Sequence, residues 1–341
     1  ENRRYLSGFT GEDHQFDESA GALLITADAQ VLATDSRFEL QAQKEAPLFE
    51  VVVYRNALVK ELAVLVDRFH IRRLGFESVR ISVHQHANFQ KELDGKAVEL
   101  IASETLVETL RQVKSSDEIE RTRRALALAE DVFRRVAKSL KPGMSEKSVA
   151  WAMEMGMRQA GADALSFPVI VAAGPNSALP HAIPTEREIQ AGEPILFDWG
   201  AKLNGYCSDT TRTVYLGAPD DTFRRVHHIV LEAQQKAIAA IKAGISTKTV
   251  DAMARDHINQ NGYEGKFGHG LGHGTGLAVH EAPRLSPLRD TLLESGMIVT
   301  VEPGIYLPEW GGIRIENQVV VRPDGPMVLN GLSTNFAIDE L

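Results

Sequence analysis

One stretch of the chain, residues 194–216, decides the fold, and it reads PILFDWGAKLNGYCSDTTRTVYL. An apolar run leads into Asp198, an Asn-Gly pair occupies 204–205, and a second strand-like run follows Asp209. Asn-Gly between two apolar segments is a strong signal for a β-hairpin. The two aspartates are about equally far from the expected turn. We therefore expect Asp198 and Asp209 to face each other across paired strands.

A second stretch repeats this arrangement with glutamates. The sequence IVTV precedes Glu302, the turn-like segment PEWGG occupies 308–312, and Glu316 follows. A single carboxylate beside a turn is usually a solvated loop residue, but apolar runs before these positions argue for burial. Four buried carboxylates repel one another and are costly to desolvate unless cations neutralise them. Two divalent ions cancel four negative charges, so the sequence predicts a two-metal site.

A glycine-rich segment, GHGLGHGTGLAVH at 268–280, lies between the two carboxylate pairs. It has neither the glycine spacing of a dinucleotide-binding loop nor a Gly-Lys-Ser/Thr sequence, so phosphate binding is the weaker interpretation. His269, His273 and His280 are four and seven positions apart, which suits one side of a helical turn or the rim of a pocket. His181, in the segment LPHAIP, is a fourth candidate, although a lone loop histidine is often only structural.

Composition limits the classes of function. The chain has 341 residues, enough for two domains, and its net charge of −9 argues against a nucleic-acid partner. Its one cysteine, Cys207, excludes an intrachain disulfide and fits a reducing, cytoplasmic environment. No apolar stretch approaches 18 residues, so we expect no membrane partner.

The pattern of apolar residues predicts two domains. Residues 1–112 alternate strands with helices. Strands are expected at 20–26, 31–34, 50–54, 74–77 and 98–102, and helices at 56–69 and 83–93. Ser115 and Glu118 form a capping box before a long amphipathic helix at 119–140. We therefore place the boundary between domains 1–112 and 113–341.

The second domain contains an internal repeat. The segment KPGMSEKSV, starting at Lys141, aligns with KAGISTKTV, starting at Lys242, which is 101 positions later. A long helix is expected before each segment, a second helix after it, and a carboxylate hairpin further on. A duplicated unit predicts a pseudo-twofold domain with the metal site between its halves.

At this point the chain resembles a known family. The second domain is similar to the pita-bread metallopeptidases, and the whole chain resembles the Xaa-Pro aminopeptidase and Xaa-Pro dipeptidase (prolidase) group. The resemblance rests on RYLSGFTG at 4–11, TDSR at 34–37, Asp198 with DTTRT at 209–213, HGLGH at 269–273, VEPGIY at 301–306 and GGIRIE at 311–316. It implies an α/β (α+β) fold, with a pita-bread catalytic domain after a smaller creatinase/prolidase-like N-terminal α/β domain.

The resemblance also implies which residues form the site. Five metal ligands are expected: Asp198, Asp209, His273, Glu302 and Glu316. The group's histidines around the substrate correspond to His181, His269 and His280. Two divalent ions are expected per chain. Ligands that are mostly oxygen, with one imidazole, favour Mn²⁺ or Co²⁺, and Fe²⁺ or Zn²⁺ remain alternatives.

These ligands suggest a hydrolytic mechanism. Two divalent ions lower the pKa of a water molecule towards about 7 and so supply a nucleophile at neutral pH. Glu302 is the candidate to accept the proton of this nucleophile and pass it to the leaving nitrogen. His269 and His280 are expected to stabilise the oxyanion. The free amine of the substrate is expected near Asp198, which makes the enzyme an exopeptidase. His181 and the loop around Phe167-Pro168 are expected to line the pocket beyond the cut.

The expected activity is that of an Xaa-Pro aminopeptidase, whose substrate is a peptide with proline at its second position. A dipeptidase needs the same site and differs only in holding the carboxylate of the substrate, for which Arg289 is a candidate as well as an ordinary surface charge. A metal-free creatinase-like hydrolase and a non-catalytic binding module are further alternatives on this fold. The N-terminal domain disfavours a methionine aminopeptidase, and the family resemblance suggests a homodimer.

Overall fold

The structure is a computed structural model that describes residues 1–12 and 19–340. The chain divides into two compact units, Glu1–Leu110 and Arg111–Leu341. Among the described helices, none is long and apolar enough to cross a membrane.

The first unit contains two small sheets and several helices. The strands are β1 (Ala22–Ile25), β2 (Gln30–Thr34), β3 (Glu50–Val53), β4 (Arg73–Glu77) and β5 (Glu99–Ser103). The helices are α1 (Asn2–Ser7), α2 (Glu39–Glu45), α3 (Leu58–Arg68) and α4 (Val83–Glu92), and α5 (Leu106–Gln112) spans the end of the unit. Strand β2 pairs antiparallel with β1 and parallel with β3, and β4 pairs parallel with β5. All five predicted strands are confirmed, whereas α1, α2 and α5 were not predicted.

The second unit contains four long helices and thirteen strands among its described residues. The helices are α6 (Ser116–Ser139), α7 (Glu146–Gln159), α8 (Asp221–Ala240) and α9 (Thr247–Ile258). The strands of the first half are β6 (Ala164–Leu165), β7 (Ile170–Ala173), β8 (Pro194–Trp199), β9 (Ala201–Leu203), β10 (Tyr206–Cys207) and β11 (Thr210–Tyr215). Those of the second half are β12 (Gly272–Gly274), β13 (Glu281–Leu285), β14 (Ile298–Val301), β15 (Gly304–Leu307), β16 (Gly311–Arg314), β17 (Asn317–Arg322) and β18 (Gly325–Val328).

The predicted capping box begins helix α6. The Ser115 hydroxyl accepts a hydrogen bond from the backbone of Glu118, and the Glu118 carboxylate accepts one from the backbone of Ser115. This reciprocal pair satisfies two backbone donors that have no partner inside the helix. The apolar face of α6 then packs Phe133 against Phe197 and Trp199, the latter in a stacked arrangement with ring centroids 4.2 Å apart. The helix therefore covers the sheet that carries Asp198.

The internal repeat is visible in backbone hydrogen bonds. In the first half, Gly143 N–H donates to Ile189 O at 2.9 Å, and Ile189 N–H donates to Met144 O at 2.9 Å. In the second half, Gly244 N–H donates to Leu293 O at 2.7 Å, and Leu293 N–H donates to Ile245 O at 2.9 Å. Similar sequence thus forms the same local connection before α7 and before α9. The two halves have separate apolar cores.

Both carboxylate hairpins form, with a register that differs from the simple expectation. Strand β8 pairs antiparallel with β11, and Asp198 lies opposite Thr211 rather than Asp209. The reason is the two-residue turn at Asn204 and Gly205, which have φ values of 50° and 83°. The turn pairs Leu203 with Tyr206, and Asp198, five residues before Leu203, therefore lies opposite Thr211. Strand β14 pairs in the same way with β17, and the hairpin of β15 and β16 lies between them.

The glycine-rich segment forms loops and a strand rather than a helical turn. Strand β12 pairs with both β13 and β14, so it lies inside the five-stranded sheet. A Cβ atom at Gly272 would lie 2.0 Å from Thr300 O. Glycine is required here because the two backbones approach too closely for any side chain. Of the two arrangements considered for the histidines, the helical one is wrong, because His273 lies in strand β12.

Candidate metal centre

The ends of four strands and the middle of a fifth carry the five expected ligands. Asp198 lies near the end of β8, Asp209 directly before β11, and His273 in the middle of β12. Glu302 directly follows β14, and Glu316 directly precedes β17. Glu316 N–H donates to Thr211 O at 3.0 Å, which joins the strands of the two halves.

Three of these side chains form a compact group. One ligand-type atom each from Asp209, His273 and Glu316 lies within 4.8 Å of the other two. Their relative exposures are 4%, 5% and 1%. Glu302 adjoins this group, since its Oε1 atom lies 3.4 Å from His273 Nε2, and Asp209 Oδ2 lies 3.5 Å from the same nitrogen.

The His273 ring is oriented to present a lone pair to these carboxylates. Its Nδ1 atom lies 3.0 Å from Gly274 O, a carbonyl that only accepts, so Nδ1 carries the proton. Burial lowers the pKa of His273 to about 3, and the ring is neutral near pH 7. The unprotonated Nε2 therefore faces two acidic oxygens. A cation between them would convert this repulsion into coordination.

The carboxylates hold protons more tightly than isolated ones do. Burial raises the pKa of Asp209 and Glu316 well above the ordinary values, and the neighbouring acids raise it further. Burial is also the main reason that the pKa of Glu302 is raised to about 7. Among the described side chains, Asp198 Oδ1 and Glu316 Oε1 are buried without a hydrogen-bond partner. Acidic groups that repel each other and retain orphaned oxygens fit divalent cations, so the donor set suits a metal centre.

Arg314 is a buried cation in the centre that the sequence analysis missed. Its Nη2 donates to Asp198 Oδ2 at 2.7 Å, its Nη1 to the Tyr306 hydroxyl at 2.9 Å, and its Nε to Thr211 Oγ1 at 3.1 Å. Arginine is seldom fully buried, so the sequence alone suggests a surface charge. A signal was nevertheless present, because Arg314 lies two residues before Glu316 in a strand-like segment whose alternate side chains share a face.

Three neutral side chains orient the acidic ones, and the sequence did not indicate them either. The Thr300 hydroxyl accepts from His273 N–H at 3.0 Å and donates to Glu302 Oε1 at 3.1 Å. Thr211 Oγ1 donates to Glu316 Oε2 at 2.7 Å. Gln318 Oε1 accepts from Asp209 N–H at 3.1 Å. The two hydroxyls set the direction in which Glu302 and Glu316 present their oxygens, whereas Gln318 fixes the backbone at Asp209.

The three remaining histidines differ in their exposure and in the contacts of their rings. His269 is half-buried, and its Nε2 lies 2.8 Å from the Tyr306 hydroxyl while its Nδ1 lies 2.8 Å from Gly270 O. Direct stabilisation of an oxyanion by His269 would require the ring to release one of these partners. His280 is exposed, and its ring meets the His273 ring edge to face, with centroids 4.3 Å apart. His181 is also exposed, and it lies close enough to Asp198, His269 and His280 to act on them electrostatically.

Two arginines, Arg284 and Arg289, are candidates to bind the carboxylate of a substrate. Arg284 lies opposite His273 across the β12–β13 pair. Its charge adds to burial in lowering the pKa of His273 and His280, and it partly opposes the burial that raises the pKa of Glu302. Its side chain is exposed and makes no hydrogen bond or ion pair with any residue that the structure describes. Arg289, which the sequence suggested, lies in an exposed turn where its backbone oxygen accepts from Thr247 Oγ1 at 3.3 Å.

Known protein families match both units of the chain. The model of metallopeptidase family M24 matches residues 120–323, and that of the creatinase/prolidase N-terminal domain matches residues 1–113. An uncharacterized peptidase of Bacillus subtilis, YqhT, is 42% identical over 324 residues, which are 95% of this chain and 89% of that protein.

Solved structures match equally well. An Xaa-Pro dipeptidase from Bacillus anthracis superposes with a TM-score of 0.93 and 39% identity, covering 98% of this chain and 92% of that one. An X-Pro aminopeptidase from Thermotoga maritima has a TM-score of 0.91 and 37% identity, covering 98% and 93%. The pita-bread fold with its preceding α/β domain is therefore confirmed. This chain belongs to metallopeptidase family M24, and it is a hydrolase with a creatinase/prolidase N-terminal domain.

Proposed function

We propose that this protein hydrolyses the bond between an amino-terminal residue and proline, with two divalent ions held by Asp198, Asp209, His273, Glu302 and Glu316. One observation carries the proposal: the neutral His273 ring presents its Nε2 lone pair to Asp209 and Glu302 at 3.5 and 3.4 Å, inside a buried acidic group. When bound, the ions would supply a nucleophile at neutral pH and polarise the scissile carbonyl.

The side chains of the protein have separate roles in this proposal. Glu302, whose Oε1 lies 3.4 Å from His273 Nε2, is the candidate to accept the proton of the nucleophile and pass it to the leaving nitrogen. His280, exposed beside His273, is the candidate to donate to the developing oxyanion. Arg314 keeps Asp198 in place through its 2.7 Å hydrogen bond. His269 acts through Tyr306, and His181 lies at the open side of the centre.

The length of the substrate is the finer question. The sequence favoured an aminopeptidase, which accepts a chain beyond proline. The exposed Arg284 favours a dipeptidase, because its guanidinium, which has no partner among the described residues, lies near His280 and Glu302 and can bind the carboxylate that ends an Xaa-Pro dipeptide. We therefore propose Xaa-Pro dipeptides as the preferred substrates, with Xaa-Pro aminopeptidase activity as the alternative.

Turnover of Xaa-Pro beside Xaa-Pro-Yaa peptides tests this proposal. Protein stripped with a chelator should be inactive, and Mn²⁺ or Co²⁺ should restore hydrolysis, more strongly for the dipeptide. Replacement of Arg284 by methionine should raise KM for the dipeptide about tenfold or more and leave KM for the longer peptide nearly unchanged. The control is Arg289→Met, which should change neither.

Several outcomes would contradict the proposal. Activity that survives complete removal of metal would disprove the metal mechanism. Faster turnover of Xaa-Pro-Yaa, unaffected by Arg284→Met, would establish the aminopeptidase instead. The family assignment already favours a metallopeptidase over a metal-free hydrolase or a binding module. The choice of Mn²⁺ or Co²⁺, the homodimer and the cytoplasmic location stay predictions.

A further inference from the structure

A buried cluster of three charges lies directly beside the loop that carries His280. Glu281 accepts from Arg111 Nη2 through Oε1 and from Lys114 Nζ through Oε2, the latter at 3.2 Å. The side chains of Arg111, Lys114 and Glu281 are 4%, 1% and 7% exposed. Burying three charged groups is costly, and nothing in the proposed chemistry uses them. We name Arg111, Lys114 and Glu281 the Glu281 cluster.

The Glu281 cluster is attached to the backbone of the loop between β12 and β13. Glu281 Oε1 also accepts from Ala278 N–H at 3.0 Å. Ala278 O accepts from Gly276 N–H at 3.0 Å, and Gly276 O accepts from Cys207 N–H at 2.8 Å. The carboxylate therefore anchors the centre of the loop, two residues before His280.

Gly276 leaves the space in which the carboxylate lies. A Cβ atom at this position would be 2.7 Å from Glu281 Oε2 and 2.9 Å from Oε1. Part of the glycine-rich segment is thereby explained by the Glu281 cluster. The loop has a fixed path because its glycine, its backbone and a buried carboxylate fit one another.

We propose that Glu281, held by Arg111 and Lys114, is a positioning residue that fixes the loop 274–280 and, through it, the ring of His280. The carboxylate does not touch the substrate. Its effect on the reaction rests on the proposed function, whereas its hold on the loop does not. A displacement of about 1 Å in a group that acts on the transition state can lower the rate roughly 10²-fold.

The variant Glu281→Gln tests this role. Three donors converge on the carboxylate, from Arg111, Lys114 and Ala278, and an amide has only one acceptor oxygen for them. On the full chain loaded with Mn²⁺, amide hydrogen exchange in 274–281 should become about tenfold faster. The kcat for an Xaa-Pro dipeptide should fall about tenfold or more, with metal content unchanged.

A double-mutant cycle separates positioning from general loss of stability. If Glu281 acts through His280, then Glu281→Gln should change kcat by less than about twofold when His280 is already alanine. A purely structural role would lower kcat equally in both backgrounds. Should Glu281→Gln fail to fold, Lys114→Met removes one cation, leaves Arg111 paired with Glu281, and should show smaller changes in the same directions.

The control is Glu130→Gln. Glu130 is 3% exposed and accepts from Gly331 N–H at 3.1 Å, so it is a buried carboxylate that binds a different backbone segment. This variant should leave exchange in 274–281 unchanged. If the wild type does not cleave Xaa-Pro peptides, but Glu281→Gln still speeds amide hydrogen exchange in 274–281, the proposed function is refuted and the positioning of the loop by Glu281 is supported. If the wild type does cleave these peptides, and Glu281→Gln changes neither kcat nor amide hydrogen exchange in 274–281, the positioning role is overturned.

Discussion

Single side chains of the centre differ in whether they face the acidic group or the solvent. Asp209 is buried and lies 3.5 Å from His273 Nε2, whereas His280 is exposed and meets the same ring edge to face. The variant Asp209→Asn should therefore lower metal content, because a neutral amide coordinates hard divalent ions poorly. His280→Ala should keep its metal while kcat falls about 10²-fold or more through lost oxyanion stabilisation.

Metal stoichiometry and kcat, measured on the same preparations, check this difference. His273→Ala serves as the comparison for a lost ligand. If His280→Ala lost its metal while His273→Ala kept both ions, the two roles would be reversed.

Glu302 makes the stability of the metal-free protein depend on pH. Burial raises its pKa from 4.5 to about 7, so the folded state keeps a proton that the unfolded state releases. This contribution to stability is fully present below about pH 4.5 and is lost as the pH rises through 7. The variant Glu302→Gln cannot ionise. Its metal-free form should therefore be more stable than the wild type at pH 8, by at most about 3 kcal/mol, and the advantage should shrink towards pH 5.

Denaturant titrations of both proteins at several pH values measure this advantage. The buried histidines titrate in both proteins, so their effect cancels in the difference. A difference that does not change between pH 5 and 8 would show that Glu302 ionises as an ordinary carboxylate. With Mn²⁺ added, the order should reverse, because the wild type gains more from binding the ion.

At the scale of elements, β12 depends on the absence of side chains. A Cβ at Gly272 would lie 2.0 Å from Thr300 O, whereas a Cβ at Gly268 would have no atom within 4 Å. Gly272→Ala should therefore force β12 away from β14 and destabilise the protein by about 1–3 kcal/mol or more, with loss of metal through His273. Gly268→Ala, four residues earlier in the same segment, is the matched control and should be nearly neutral. Equal melting temperatures for the two variants would contradict the close approach.

The sequence predicted elements well where a period or a cap was present. Strands such as β3, the Ser115 capping box, the hairpins and the repeat were all recognised, because alternation and turn chemistry are local signals. The six-residue helix α1 was missed because it is too short to show an amphipathic period. Arg314 and Gln318 were missed because a pattern of residue types does not tell which polar side chain will be buried. The aspartate register differed by two residues because the two aspartates are not equally far from the turn, and pairing of Leu203 with Tyr206 places Asp198 opposite Thr211.

For the molecule as a whole, we propose that residues 113–341 hold every metal ligand and form the catalytic domain. A fragment of these residues should bind about two Mn²⁺ per chain, because all five ligands lie within it. Circular dichroism would first establish that the fragment is folded, and metal analysis after dialysis would then measure binding. A fragment that is folded but binds no metal would contradict the proposal. The fragment lacks Arg111, so the amide hydrogens of its loop 274–280 should exchange faster than those of the full chain.

The internal repeat has a consequence for how such a centre could arise. Strand β7 of the first half and β12 of the second each pair with the first strand of a hairpin, but the residue 101 positions before His273 is Ala172. An ancestral protein of half this domain's length would have had to associate as a twofold dimer to gather four acids, and any histidine would have appeared twice. Once duplication and fusion placed both copies in one gene, each could mutate alone. A symmetric scaffold could then acquire an unsymmetric pair of ion sites.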